Sequence, residues 1–143
     1  MLTLAAVTSR DVVYDLGCGD GRIVIAAAQK FGARGVGVDI DLARIAEAQQ
    51  NAARAGVERL VTFRLQDALN TDVSEATIVT LYLLSSQNVA LRPILTRQLR
   101  PGARIVSHNF AMGDWNPDVV DTFTSMDGQK RTLYLWKIGN KGP

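Results

Sequence analysis

Residues 12–22, Val-Val-Tyr-Asp-Leu-Gly-Cys-Gly-Asp-Gly-Arg, constrain this chain most. Val12, Val13, Tyr14 and Leu16 form a short apolar run with strand propensity. Gly17, Gly19 and Gly21 follow at alternate positions, and Ile23 to Ala28 then supplies enough apolar side chain for a buried helix face. Apolar strand, tight turn, apolar helix is the reading this order dictates. Glycines there allow left-handed backbone and leave no Cβ between main chain and a ligand. Turns of this kind stand at the carboxyl ends of parallel strands, where open α/β sheets take their ligands.

The remaining units repeat the alternation. Helices are expected over 21–31 and 41–55, each stopped by a glycine, Gly32 and Gly56. Strands are expected at Val12–Leu16, Gly35–Asp39, Leu60–Leu65, Ala76–Tyr82 and Ala103–Ser107. Residues 2–7 read as the last turns of a helix, 68–72 as a loop, and 73–75 as a short turn. Gln87 to Leu99 reads as a helix that Pro93 kinks or splits. His108 to Pro117 reads as an irregular loop. Asp118–Ser125 and Arg131–Ile138 form a hairpin closed by Met126-Asp127-Gly128-Gln129, and Gly139 to Pro143 a frayed tail. The fold class is therefore α/β: a mostly parallel, Rossmann-like sheet with helices on both faces and a C-terminal antiparallel hairpin.

At 143 residues the chain suits a single domain, 1–143. A net charge of +2 requires neither nucleic acid nor an anionic membrane as partner. Cys18 is the only cysteine, so no internal disulfide forms and a reducing compartment fits. No cluster has metal-ligand spacing, no run reaches membrane-spanning length, and the N-terminus lacks a basic leader; the expectation is a soluble cytoplasmic protein.

The acids decide which ligand the turn serves. A dinucleotide fingerprint would place a third glycine where Arg22 stands. The pattern here is Asp-x-Gly-x-Gly-x-Gly, Asp15 to Gly21. S-adenosylmethionine carries an ammonium, a carboxylate and a sulfonium but no phosphate. Asp15 at the strand end suits the ammonium, while Asp15 and Asp20 together would repel a pyrophosphate. Asp39 ends strand two, about where ribose hydroxyls find their acceptor in such sheets. Asp41 reads as a helix cap. Asp67, after strand three, is either a solvated loop acid or the acceptor for an adenine amino group, with Ala68 offering its amide. Ile40 beside Asp39 and Thr80 near the end of strand four complete the cofactor-binding set: Asp15, Gly17, Cys18, Gly19, Gly21, Asp39, Ile40, Asp67, Ala68 and Thr80. The side chain of Cys18 reads as small and inert.

Asp15-Leu16-Gly17-Cys18-Gly19-Asp20-Gly21 resembles the first motif of class I S-adenosylmethionine-dependent methyltransferases. Further stretches carry the resemblance over nearly the whole chain: Ser74-Glu75-Ala76-Thr77-Ile78-Val79-Thr80, Ser107-His108, Gly113-Asp114-Trp115-Asn116-Pro117 and Leu133-Tyr134-Leu135-Trp136-Lys137-Ile138-Gly139. With them the chain is similar to a small archaeal and bacterial group of broad-specificity protein-lysine methyltransferases, related to mitochondrial lysine methyltransferases. The resemblance implies a seven-stranded sheet, S-adenosyl-L-methionine as methyl donor, S-adenosyl-L-homocysteine as product, and protein acceptors with exposed lysines. Members carry an N-terminal Tyr-x-Pro-Thr-Pro-like stretch over the cofactor, and this sequence begins after it, which implies weaker cofactor binding. They also carry an acid after Ser-His, where this chain has Asn109.

Three candidate catalytic residues lie at the expected cleft: Tyr82, His108 and Asn109. Tyr82 is either an aromatic wall for an aliphatic acceptor or ordinary packing. His108, the only histidine, is either structural or at the cleft. Trp115 either flanks the entrance or anchors its loop. Thr80-Leu81-Tyr82-Leu83-Leu84 lacks the Asn/Asp-Pro-Pro-Tyr clamp of base-amino methyltransferases, which counts against nucleic-acid acceptors. No inserted lid is present to enclose a small acceptor. The alternatives to a protein-lysine methyltransferase are a small-molecule methyltransferase and a catalytically weak cofactor-binding module. A nicotinamide dehydrogenase is disfavoured.

Overall fold

The computed structural model describes residues 1–139. The elements run β1 (Val12–Leu16), α1 (Arg22–Phe31), β2 (Arg34–Asp39), α2 (Leu42–Ala55), β3 (Val61–Leu65), β4 (Ile78–Leu81), α3 (Ser85–Gln98), β5 (Arg104–His108), β6 (Val119–Thr124) and β7 (Lys130–Lys137). They build one seven-stranded sheet in the order β3-β2-β1-β4-β5-β7-β6. The first five are parallel; β7 inserts antiparallel between β5 and β6.

Strand alternation makes two cores. Tyr14, Leu16, Val79, Leu81 and Ile105 face α3, whose Leu91 and Leu95, with Leu99 at its C-cap, recur at helical spacing. Val13, Ile78, Val106 and Leu135 face the other way, onto Val24, Ile25, Ala27 and Ala28 of α1, with Ala52 of α2 beside them. The chain winds from β1 outward to β3, then crosses to β4 on the other side of β1. That reversal opens a crevice at the carboxyl ends of β1 and β4.

Local chemistry sets the ends. Asp41 accepts from the N–H groups of Ala43 and Arg44 at 2.9 and 3.4 Å and starts α2. Gly32 and Gly56 close α1 and α2 as expected. Other expectations fail. Residues 2–7 form no helix; 2–6 are successive turns, Ala6 takes φ 55°, and Arg104 holds the carbonyls of Ala5 and Ala6 at 2.5 and 3.4 Å. Pro93 does not divide its helix in two; it is exposed, so α3 loses one bond on its solvent side and is continuous from Ser85 to Gln98. His108 belongs to β5 rather than to the loop, because β7 pairs it with Leu133. Residues 68–70 wind into a single 3₁₀ turn capped by Asp67. Strand four is shorter than read, leaving Tyr82 just past its end. Of the expected tail, 140–143 lie outside the described residues.

Candidate active site

The glycine turn links β1 to α1 through left-handed backbone, with φ 81° at Gly17 and 82° at Gly21. Its position depends on β2. Gly17 and Cys18 both donate to the Val38 carbonyl at 2.9 Å, and Gly19 donates to Asp39 Oδ2 at 2.9 Å. Asp39 Oδ1 accepts from the Asp41 N–H at 3.0 Å. The acid assigned to a ribose thus also pins the loop that would hold the rest of the nucleoside.

Asp15 lies beneath this turn, 1% exposed, and its Oδ1 accepts from the Thr80 hydroxyl at 2.8 Å. Burial pushes its carboxyl up to about 7, against the Thr80 bond and with help from the nearby Asp39 and Asp20 charges. Cys18 is buried, and burial with the Asp15 and Asp39 charges pushes its thiol up to about 12, so it is inert at neutral pH. Asp20 departs from expectation. It pairs with Arg22 through Nε and Nη2 at 3.1 and 2.9 Å, which offsets much of its charge. It also accepts the Arg22 N–H at 3.2 Å, at the helix end where a pyrophosphate would bind. Asp20 therefore disfavours phosphate by occupying the anion position rather than by repulsion.

Three cavities open along the crest. One of about 400 Å³ is lined by Gly17, Asp39, Ile40, Asp67, Ala68 and Leu91, among others. Ile40 is 76% exposed there, an apolar face with no protein to cover it. The second, about 310 Å³, is lined by Asp15, Gly17, Gly19, Asp20, Arg22 and Arg44. Carboxylates and guanidiniums in one cavity complement an amino acid that bears both charges. The third, about 300 Å³, lies against His108, Asn109, Phe110 and Arg131. Tyr82 borders all three. The register pairing Leu81 with Ser107 brings Tyr82 beside His108, and the rings stack at 4.2 Å with planes 13° apart. Burial, then the Arg131 charge, hold the His108 imidazole below its usual value, so it is neutral at pH 7.

The crest thus brings together Asp15, Gly17, Cys18, Gly19, Asp39, Ile40, Asp67 and Ala68, with Tyr82, His108 and Asn109 beside them. Thr80 and Gly21 are buried behind it. Asn109, at φ 65°, spends its carboxamide oxygen on the Thr132 N–H at 2.9 Å and shapes the third cavity from its edge. Trp115 anchors its loop: its carbonyl accepts from Trp136 Nε1 at 2.9 Å, and Arg92 lies over its ring at 5.6 Å. Sequence reasoning missed Arg22, Arg44 and Arg131 as wall residues. It also missed Gly37, where a Cβ would come 2.8 Å from both Cys18 Cβ and Phe63 Cδ1. A glycine inside a strand was the available signal for the last.

The walls fit S-adenosylmethionine: a two-signed cavity for the amino-acid end, Asp39 at the middle, and an apolar, acid-edged cavity for the base. Known proteins agree. Residues 15–119 match the ANTKMT methyltransferase domain family. A protein-lysine N-methyltransferase of Saccharolobus islandicus is 45% identical over 141 residues, 97% of this chain and 86% of that protein. The adenine nucleotide translocase lysine N-methyltransferase of Mus musculus is 33% identical over 108 residues, 76% of this chain but 47% of that protein. A crystal structure described as an RNA methyltransferase from Salinibacter ruber, in complex with S-adenosyl-L-homocysteine, is 53% identical, with a TM-score of 0.91 over 99% of this chain and 90% of that one. This chain belongs to the ANTKMT methyltransferase domain family and is a class I S-adenosylmethionine-dependent methyltransferase.

Proposed function

We propose that the acceptor is the side-chain amine of lysine in proteins. The observation that carries this reading is the third cavity, walled by the Tyr82–His108 stack and open to solvent. Exposed Leu84 and Phe110 flank it, and exposed Ile40 and Leu69 give the first cavity an apolar rim. A polypeptide can lie on such a rim and send one long side chain inward. The Saccharolobus islandicus relative, named for protein-lysine methylation, supports the same reading.

The donor, when bound, supplies an electrophilic methyl group on a sulfonium. The chain's own residues hold and align. Asp15, Arg22 and Arg44 take the amino-acid end and Asp39 the ribose. Tyr82, bordering all three cavities, directs the acceptor amine toward the donor. Alignment is the main contribution, because reacting atoms must approach to about 3–3.5 Å. Lysine must arrive neutral. From a reference pKa of about 10.4 this costs roughly 4.6 kcal/mol at pH 7. Apolar walls lower that cost. His108, held neutral, adds no positive charge to the wall that the amine meets.

The Salinibacter ruber relative is described as an RNA methyltransferase, so RNA is the reading to test against. Leu81-Tyr82-Leu83-Leu84 offers no polar clamp for a base amino group. Labelled S-adenosylmethionine and a cell extract, split between nuclease and protease treatment, separate the two. Label that survives nuclease and is lost to protease, recovered as methyllysine, is the expected result. Label lost to nuclease, or found only on small metabolites, rejects the proposal.

A further inference from the structure

Arg131 shares the wall of the third cavity with the Tyr82–His108 stack, and the lysine reading leaves it without a substrate partner. Its side chain is 25% exposed, and its one ion-pair partner among the described residues is Asp127, Nη2 to Oδ2, at 3.3 Å. That pair spans the hairpin turn between β6 and β7. The other Asp127 oxygen is already engaged by the Ser125 hydroxyl and by the Gln129 N–H at 3.1 Å. Asp127 is 53% exposed, so water screens the pair and a competing anion can displace it at little cost.

A guanidinium in an acceptor wall repels a lysine ammonium and attracts a carboxylate. Apart from the screened Asp127 pair, the polar residues of this wall do not neutralise it: His108 is neutral, and Asn109 spends its oxygen on Thr132. We propose that Arg131 is a specificity-determining residue that takes a carboxylate of the acceptor chain beside the target lysine, so that lysines with acidic neighbours are preferred. This rests on the lysine reading above. The carboxylate replaces Asp127 on the guanidinium while exposed Leu84 and Phe110 pack against the aliphatic parts of the same segment. Selection therefore acts on binding and appears in KM more than in kcat.

Three peptides of equal length test it, each with one lysine, flanked by Glu, by Ala or by Arg. The wild type should favour the Glu peptide over the Ala peptide by about 5- to 10-fold in kcat/KM, the size of a partly exposed charged hydrogen bond. Arg131→Ala should flatten the series, and Arg131→Glu should invert it toward the Arg peptide. Asp127→Asn, which frees the guanidinium while keeping a turn acceptor, should widen it. Binding of S-adenosylhomocysteine to each variant reports whether the fold and donor site persist. An order of preference that is the same in the wild type and in Arg131→Glu overturns the inference alone. A wild type that methylates none of the peptides overturns the lysine reading with it. Transfer to an RNA transcript instead, weakened in Arg131→Ala, would assign the guanidinium to a phosphate and overturn both.

Discussion

Asp39→Ala separates two roles that one carboxylate combines. Its oxygens accept from Gly19 at 2.9 Å and from Asp41 at 3.0 Å. A carboxylate has about four acceptor positions, so two remain for ribose hydroxyls. Hydrogen bonds to a charged acceptor contribute about 1.5–3 kcal/mol. Losing the ribose contact should therefore weaken S-adenosylhomocysteine by roughly 10- to 150-fold in Kd. The turn suffers as well. The Asp41 N–H is exposed and water can replace its acceptor, whereas the Gly19 N–H is partly buried. That orphaned donor costs about 1 kcal/mol, or about 3–4 °C in Tm for a chain of this size. Calorimetry reads the first effect and a thermal melt without ligand the second. Loosening of the turn alone could mimic a lost ribose contact, so a second ligand is needed. A 2′,3′-dideoxy analogue of S-adenosylhomocysteine should bind the wild type weakly and Asp39→Ala no worse than the parent ligand does, because the variant has no carboxylate to lose. If Asp39→Ala weakens both ligands by the same factor, Asp39 only holds the turn, and the ribose assignment is wrong.

Two further outcomes follow from the buried side of the site. Gly37→Ala drives a methyl to within 3.0 Å of Cys18 and Phe63, and repacking costs about 1–3 kcal/mol; the melt should shift down by several degrees, and donor affinity should fall because Cys18 belongs to the glycine turn. Asp15 has its carboxyl raised to about 7 by burial, so the native chain keeps a proton that the unfolded chain has lost between about pH 4 and 7. This residue's contribution to stability therefore falls as pH rises through that window, while its affinity for the donor's ammonium rises. Calorimetry in buffers of different ionisation heat should detect proton release on S-adenosylhomocysteine binding at pH 6 and almost none at pH 8, and Asp15→Asn should abolish the difference. Equal proton release at both pH values would show that Asp15 does not meet the ammonium.

What the sequence made legible is what local spacing controls. Asp41 caps α2, glycines stop α1 and α2, and Asp15, Asp39 and Asp67 all lie at or just past the carboxyl ends of their strands, because each depends on neighbours a few positions away. Ala6 went unread since the turn that holds it is tied to Arg104, almost a hundred residues on. Arg131 went unread for a related reason. Nothing local to β7 says that it inserts beside β5 rather than at the sheet edge, and only that insertion brings residue 131 to the wall shared with His108. Tyr82 shows the same limit from inside the site. Its strand could be read, yet its position bordering three cavities comes from the crossover that sets β4 between β1 and β5. The donor residues stand in the first strand–turn–helix and just past the ends of β2 and β3, each at a strand end that local spacing marks, so they can be read in order. The proposed acceptor wall is assembled from the ends of β4, β5 and β7 at once, and it therefore depends on strand order. Substitutions on β7 should accordingly alter which acceptors are methylated before they alter how the donor binds.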